Sequence, residues 1–227
     1  MKAQPHFPVA WLCLAFGLVA IAAQAQGEKF LDQWIAAQTN LLTWSADVVE
    51  TRALQTLSQP LVSTGKVWVA LPNHFRWELG QPAQTIALRQ PDQLFLIYPR
   101  LKRVEKYPLL GHQPGPWRDA LALLDASFPR NRADLDSRFR VLSVIQTNTL
   151  VQVNLQPRSQ AARRFMSEIS VTVRTNDFSP ASTELKFSDG SMMRNDFANG
   201  IINSPLKASL FESNFDANFT LVEPLRP

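Results

Sequence analysis

The chain has 227 residues, with 23 Lys and Arg against 19 Asp and Glu, a formal net charge of +4. So small an excess gives no case for a nucleic-acid partner, and the single cysteine excludes an internal disulfide. The first 25 residues read as an export segment. Lys2 supplies the positive start, Val9 to Ala23 is apolar and uncharged, and Ala23-Gln24-Ala25 is a small-x-small cleavage site. Cys13 lies inside the apolar run and would leave with it. Residues 26–227 are then expected to form one domain, because about 200 residues are enough for a sizeable core.

Glu28 to Leu42 has helical spacing, with Phe30, Leu31, Trp34, Ile35, Gln38 and Leu41 on one side. Trp44 to Arg52 changes to strand spacing. Gln55 to Ser63 is a polar hairpin connection. From Gly65 to Tyr107 apolar and polar residues alternate between frequent Pro, Asn, Gly and Asp residues, which predicts consecutive antiparallel strands. Val67, Val69 and Leu71 share one face of the first. Leu71-Pro72-Asn73 makes a turn. Phe75, Trp77 and Leu79 then share a face of the second, with Arg76 pointing away.

Pro108 to Pro116 is an irregular loop rich in Pro and Gly. Trp117 to Phe128 is an amphipathic helix, with Pro116 at its start and Trp117, Leu121 and Leu124 in one stripe. A second helical patch is expected over Arg132 to Phe139. Strands return from Arg140, with a turn at Thr147-Asn148 and a hairpin at Ser188-Asp189-Gly190. Pro205 to Phe211 is expected to hold a helical turn, and Phe219 to Val222 a last strand. The fold class is α+β: about ten to eleven antiparallel strands, too many to stay flat, curled into an incomplete barrel. The N-terminal helix and a central helical lid cover it.

The run Gly65, Val69, Leu71-Pro72-Asn73-His74-Phe75-Arg76-Trp77-Glu78, Pro82, Ile86, Tyr98-Pro99 and Val104 resembles the periplasmic lipoprotein carrier family, the LolA-like proteins. The dense match spans about forty residues, and the order of elements agrees more loosely over the rest. The resemblance implies a hydrophobic cavity between barrel and lid. Its walls would be Val67, Val69, Leu71, Phe75, Trp77, Ile86 and Leu88 from the sheet, with Leu121 and Leu124 facing them. It implies cargo of lipoprotein acyl chains or another lipid, taken from an inner-membrane ABC exporter and passed to an outer-membrane acceptor in the periplasm. Family members carry an arginine before Pro-Asn, thought to hold the lid through helix backbone; this chain has Leu71.

The residues offer little to catalysis. His74 and His112 have no second ligand at metal spacing, and no Gly-x-Ser-x-Gly, phosphate loop or HExxH occurs. No catalytic residue, metal or cofactor is expected. Asp134 and Asp136 read as a solvated loop. Arg100-Leu101-Lys102-Arg103 and Arg163-Arg164 could meet lipid phosphates, but such clusters are usually solvated surface. The alternative to a carrier is a lipid-sensing module that binds a membrane regulator, since related half-barrels serve in that way. Such sensors usually have a second domain, for which about 200 residues leave little room. Export should give a mature chain starting at Gln26. N-terminal sequencing checks this, and an exported chain retaining Trp11 or lipidated on Cys13 would overturn it.

Overall fold

A computed structural model describes residues 26–109, 121 and 126–224. The export segment, His112, Trp117 and Leu124 lie outside these residues. Helix α1 spans 26–38 and buries Phe30, Leu31, Trp34 and Ile35, the stripe its spacing predicts. Helix α2 (Arg132–Arg138) is capped by Asn131, whose Oδ1 accepts the Asp134 N–H at 2.8 Å. A single helical turn, α3, spans Gln160–Arg163. Asp134 and Asp136 belong to α2 and not to a loop. They pair with Arg138 and Arg132, one helical turn away in each case.

Twelve strands form one open sheet. They are β1 (Thr43–Ala53), β2 (Leu61–Ala70), β3 (His74–Leu79), β4 (Thr85–Gln90), β5 (Gln93–Tyr98), β6 (Arg103–Pro108), β7 (Phe139–Gln146), β8 (Leu150–Pro157), β9 (Met166–Arg174), β10 (Pro180–Phe187), β11 (Met192–Ile202) and β12 (Thr220–Val222). Their order is β12-β6-β5-β4-β3-β2-β1-β11-β10-β9-β8-β7. Two antiparallel meanders, β1–β6 and β7–β11, meet where β1 pairs with β11. The expectation of ten to eleven strands, all antiparallel, needs one correction. The last strand, β12, pairs parallel to β6, because the tail crosses the sheet before it arrives there. The incomplete barrel itself is as expected.

The sheet is covered on both faces. On the inner face α1 and Leu135 of α2 pack on Val151, Val153, Leu155, Ile169, Val171 and Leu185 of the second meander. Also on the inner face, a second cluster joins Trp44, Val48, Val67, Val69, Phe75 and Phe197 to Phe128. On the outer face, Ile86, Leu88, Phe95, Ile97 and Val104 form a third cluster under Phe211, Phe215 and Phe219 of the tail. The tail is held there by backbone acceptors: Arg76 Nη1 donates to the Leu210 carbonyl at 3.3 Å, and Gln90 Nε2 to that of Phe211 at 2.9 Å.

Gly65 lies where β2 and β3 come too close for a side chain. A Cβ there would stand 1.8 Å from the Glu78 carbonyl oxygen, which is backbone and cannot swing aside. Gly65→Ala should therefore push the strands apart and cost about 3 kcal/mol or more. The shift of the urea midpoint measures this, and a loss below about 1 kcal/mol would show that the strands can separate freely.

Candidate functional site: the apolar inner face

Register decides which side chains meet. Across β1, β2 and β3, Trp44 pairs with Val69 and Val69 with Phe75; Ala46 pairs with Val67 and Val67 with Trp77. Side chains alternate along each strand, so this set shares the inner face. Across the β1–β11 seam Val48 pairs with Phe197. Phe197 then stacks edge-on against both indoles, 5.0 Å from Trp44 and 5.9 Å from Trp77. Phe128 covers Trp44 at 5.6 Å. Leu71 and Leu121 are half-buried against the same cluster.

Of the expected wall, Val67, Val69, Leu71, Phe75, Trp77 and Leu121 come together here. Ile86 and Leu88 do not. The partners of Trp77 and Phe75 on β4 are Ala87 and Arg89, so Ile86 and Leu88 point to the outer face, with Arg76 and Glu78. There they pack under the tail's phenylalanines, with Phe95 and Phe215 at 5.5 Å. Sequence reasoning missed Trp44, Phe197 and Phe128. Trp44 could have been found, since Trp44, Ala46 and Val48 alternate like the β2 set they face.

The inner face is not purely apolar. Glu50 is buried and pairs with Arg52 at 2.6 Å. Asn195 is fully buried; its Nδ2 donates to Thr183 Oγ1 at 3.2 Å, while its Oδ1 has no partner among the described residues. The indole N–H groups of Trp44 and Trp77 and the Gln38 Oε1 are also buried, without partners among the described residues. Tyr107 donates to Glu105 Oε2 at 2.8 Å, and burial first, then that bond, raises its phenol well above the usual range. Two hollows lie along this face. One of about 160 Å³ is lined by Gln38, Trp44, Phe178 and Asn203 among others. A void of about 10 Å³ lies between Trp44, Trp77, Phe128 and Phe197.

No group of three or more His, Cys, Asp or Glu capable of holding a metal occurs among the described residues. His74 stacks on Phe211 on the outer face. Arg103 pairs with Glu105, and Arg163 donates to the Pro157 carbonyl, so these two cations are engaged within the fold.

An open, curled sheet with a helix-covered apolar inner face defines a half-barrel binding module for apolar ligands. The family model for outer membrane lipoprotein carrier protein LolA matches residues 40–214, and the chain belongs to that family. No curated protein matches it in sequence. Among solved structures it is similar to an uncharacterized conserved protein from Thermus thermophilus, with 11% identity, TM-score 0.49, and 84% and 98% of the two chains covered. It is similar to a LolA superfamily protein from Nitrosomonas europaea, with 10% identity, TM-score 0.41, and 80% and 97% covered. A third is the MucA/MucB complex of Pseudomonas aeruginosa, with 14% identity and TM-score 0.46; there the match covers 87% of this chain and 63% of that one.

The outer-face assignment is directly testable. Phe215→Ser should uncover Phe95 and Leu88, raise binding of a hydrophobic dye, and lower stability by about 1–2 kcal/mol. It should leave any acyl ligand's affinity unchanged. A loss of acyl affinity with stability intact would return Ile86 and Leu88 to the binding wall.

Proposed function

We propose that the chain is a periplasmic carrier that shields acyl chains of lipoproteins, or of another lipid, on the inner face of its half-barrel. It receives cargo from an inner-membrane ABC exporter and delivers it to an outer-membrane acceptor. Its task is binding, without catalysis. One observation supports this most: the cluster of Trp44, Val67, Val69, Phe75, Trp77 and Phe197 is an inner face of one sheet, covered by a separate segment that contributes Leu121 and Phe128. A surface of this kind can exchange its cover for a hydrocarbon chain without breaking strand pairing.

The physical demand is steep. Each methylene kept from water contributes about 0.8 kcal/mol, so a lipoprotein anchor does not cross an aqueous space unaided. A carrier that gained all of that energy would not release its cargo. Covering the empty face with its own side chains offsets most of the gain, and Phe128 on Trp44 is such a cover.

Titration with a fluorescent long-chain acyl probe tests the proposal. The protein should bind the probe saturably. Trp77→Glu should weaken binding at least tenfold; it should lower the urea midpoint but leave the chain folded, because Trp77 is half-buried against Phe197. Absence of saturable binding by the unmodified protein, or full affinity in Trp77→Glu, would sink the carrier reading.

A further inference from the structure

We propose that one end of the half-barrel is a docking edge for an anionic phospholipid bilayer, built from two exposed apolar tips set among cations. The hairpin links of the two meanders lie at two ends. Those of β2–β3, β4–β5, β7–β8 and β9–β10 share one end, and those of β1–β2, β3–β4, β5–β6, β8–β9 and β10–β11 share the other. Every Lys and Arg in these links belongs to the second end. Arg100 and Lys102 lie between β5 and β6, and Arg158, Arg163 and Arg164 between β8 and β9. The links at the first end hold Asp92 and Asp177 and no cation.

These five cations are exposed, and no carboxylate pairs with any of them among the described residues. Arg103 and Arg138, by contrast, pair with Glu105 and Asp134. Arg158 and Arg163 donate to the Phe139 and Pro157 carbonyls, at 3.2 and 2.9 Å, which holds the guanidinium groups without neutralising them. The one carboxylate in the links at this end, Asp189, accepts the Ser191 N–H of its own turn at 2.8 Å. The chain's formal surplus is only +4, so this end concentrates it. Four of the five cations are arginines, whose planar forks match phosphate oxygens.

Each basic link also presents an apolar residue to solvent. Leu101 is 72% exposed and Phe165 is 58% exposed. Single exposed apolar residues are ordinary, but these two are held outward on tight turns. The Lys102 N–H donates to the Pro99 carbonyl at 3.1 Å, closing the turn around Leu101. The Phe165 N–H donates to the Ala162 carbonyl at 3.0 Å, and its own carbonyl accepts the Ser188 N–H at 2.9 Å. The two tips lie toward opposite edges of the sheet. Between them the β1–β2 link brings exposed Leu57 to the same end, tied by Gln55 Nε2 to the Gly190 carbonyl at 2.9 Å. A protein partner would need one continuous, complementary patch. A fluid bilayer accepts separated tips, with apolar groups below the headgroups and cations among the phosphates. None of these residues belongs to the inner-face cluster, so the docking edge does not rest on the carrier reading.

Co-sedimentation with vesicles tests this, using phosphatidylcholine alone and phosphatidylcholine with about 30% phosphatidylglycerol, whose surface charge acts within a Debye length. The chain should bind the anionic vesicles at about 0.1 M salt, release them at about 1 M, and leave the neutral ones in both cases. The pair Arg100→Gln and Arg164→Gln, at side chains with no contact to lose, should weaken binding about twentyfold, roughly fivefold for each cation. The pair Leu101→Ser and Phe165→Ser should weaken it at least about tenfold, the effect of lost apolar insertion. Arg130→Gln, at the other end beside Asn73, should change it less than about twofold. Affinity for a fluorescent acyl probe should stay at the parent's value in all these variants. Failure of the parent to bind anionic vesicles would overturn the docking edge and turn the search to an acidic protein. Parent-like binding by either pair, or an equal loss in Arg130→Gln, would also overturn it. Each of these results leaves the carrier reading standing, since that reading depends on the acyl probe alone.

Discussion

The pairing of β1 with β11 is the constraint on which the rest depends. Among the described residues no other strand pairing joins the two meanders, since β6 and β7 lie toward opposite ends of the strand order. The pairing runs from Trp44 opposite Ile202 to Ala53 opposite Met192, with one shift of register between Ser45 and Asp47. It places Val48 and Phe197 side by side at the seam and makes one continuous inner face from two hairpin stacks. The halves are nevertheless covered by different pieces of chain, α1 on one and the segment with Leu121 and Phe128 on the other. The seam between the covers falls at Trp44, and the hollows lie there.

Local pattern carried much of the fold. The α1 stripe, the Leu71-Pro72-Asn73 turn and the Ser188-Asp189-Gly190 hairpin depend on neighbours in sequence, and each stands where the pattern puts it. Gly190 has φ of 84°, and Asp189 Oδ1 accepts the Ser191 N–H at 2.8 Å. The faces of β2 and β3 were legible because Lys66, Arg76 and Glu78 mark the outer side. On β4 and β5 that signal fails. Ile86 and Leu88 are the greasy residues of β4, yet the inner positions are Ala87 and Arg89. On β5 both faces are apolar, Leu94 and Leu96 inside, Phe95 and Ile97 outside. A strand buried on both sides does not announce its orientation.

What buries the outer side is a tail more than a hundred residues away in sequence, and alternation within a strand does not report such a partner. Phe211, Phe215 and Phe219 recur every four residues, a spacing that suggests a helix face. Only Ala208–Phe211 takes a helical form, and the rest is an irregular strap, with a turn at Asp216–Phe219, laid on Phe95 and its neighbours. The parallel pairing of β12 with β6 has the same origin. It follows from where the strap ends, at Thr220 opposite Arg103, and not from any propensity of its three residues.

Leu71 gives the inner face its particular energetics. Family members are expected to present a guanidinium here, and this chain presents a branched hydrocarbon packed against the aromatic cluster. What leucine contributes scales with area, at about 25 cal/mol per Å². A cargo methylene can replace that contact almost one for one. Guanidinium donors bonded to backbone could not be replaced by hydrocarbon without leaving them unpaired. Exchanging the protein's own apolar cover for cargo is then close to an even trade in apolar area. Small polar differences decide the sign. Trp44 Nε1, Trp77 Nε1, Gln38 Oε1 and Asn195 Oδ1 are buried on this side of the sheet and unpaired among the described residues. Each unpaired group costs about 1–3 kcal/mol. On the carrier reading, apolar area sets whether a lipid enters at all.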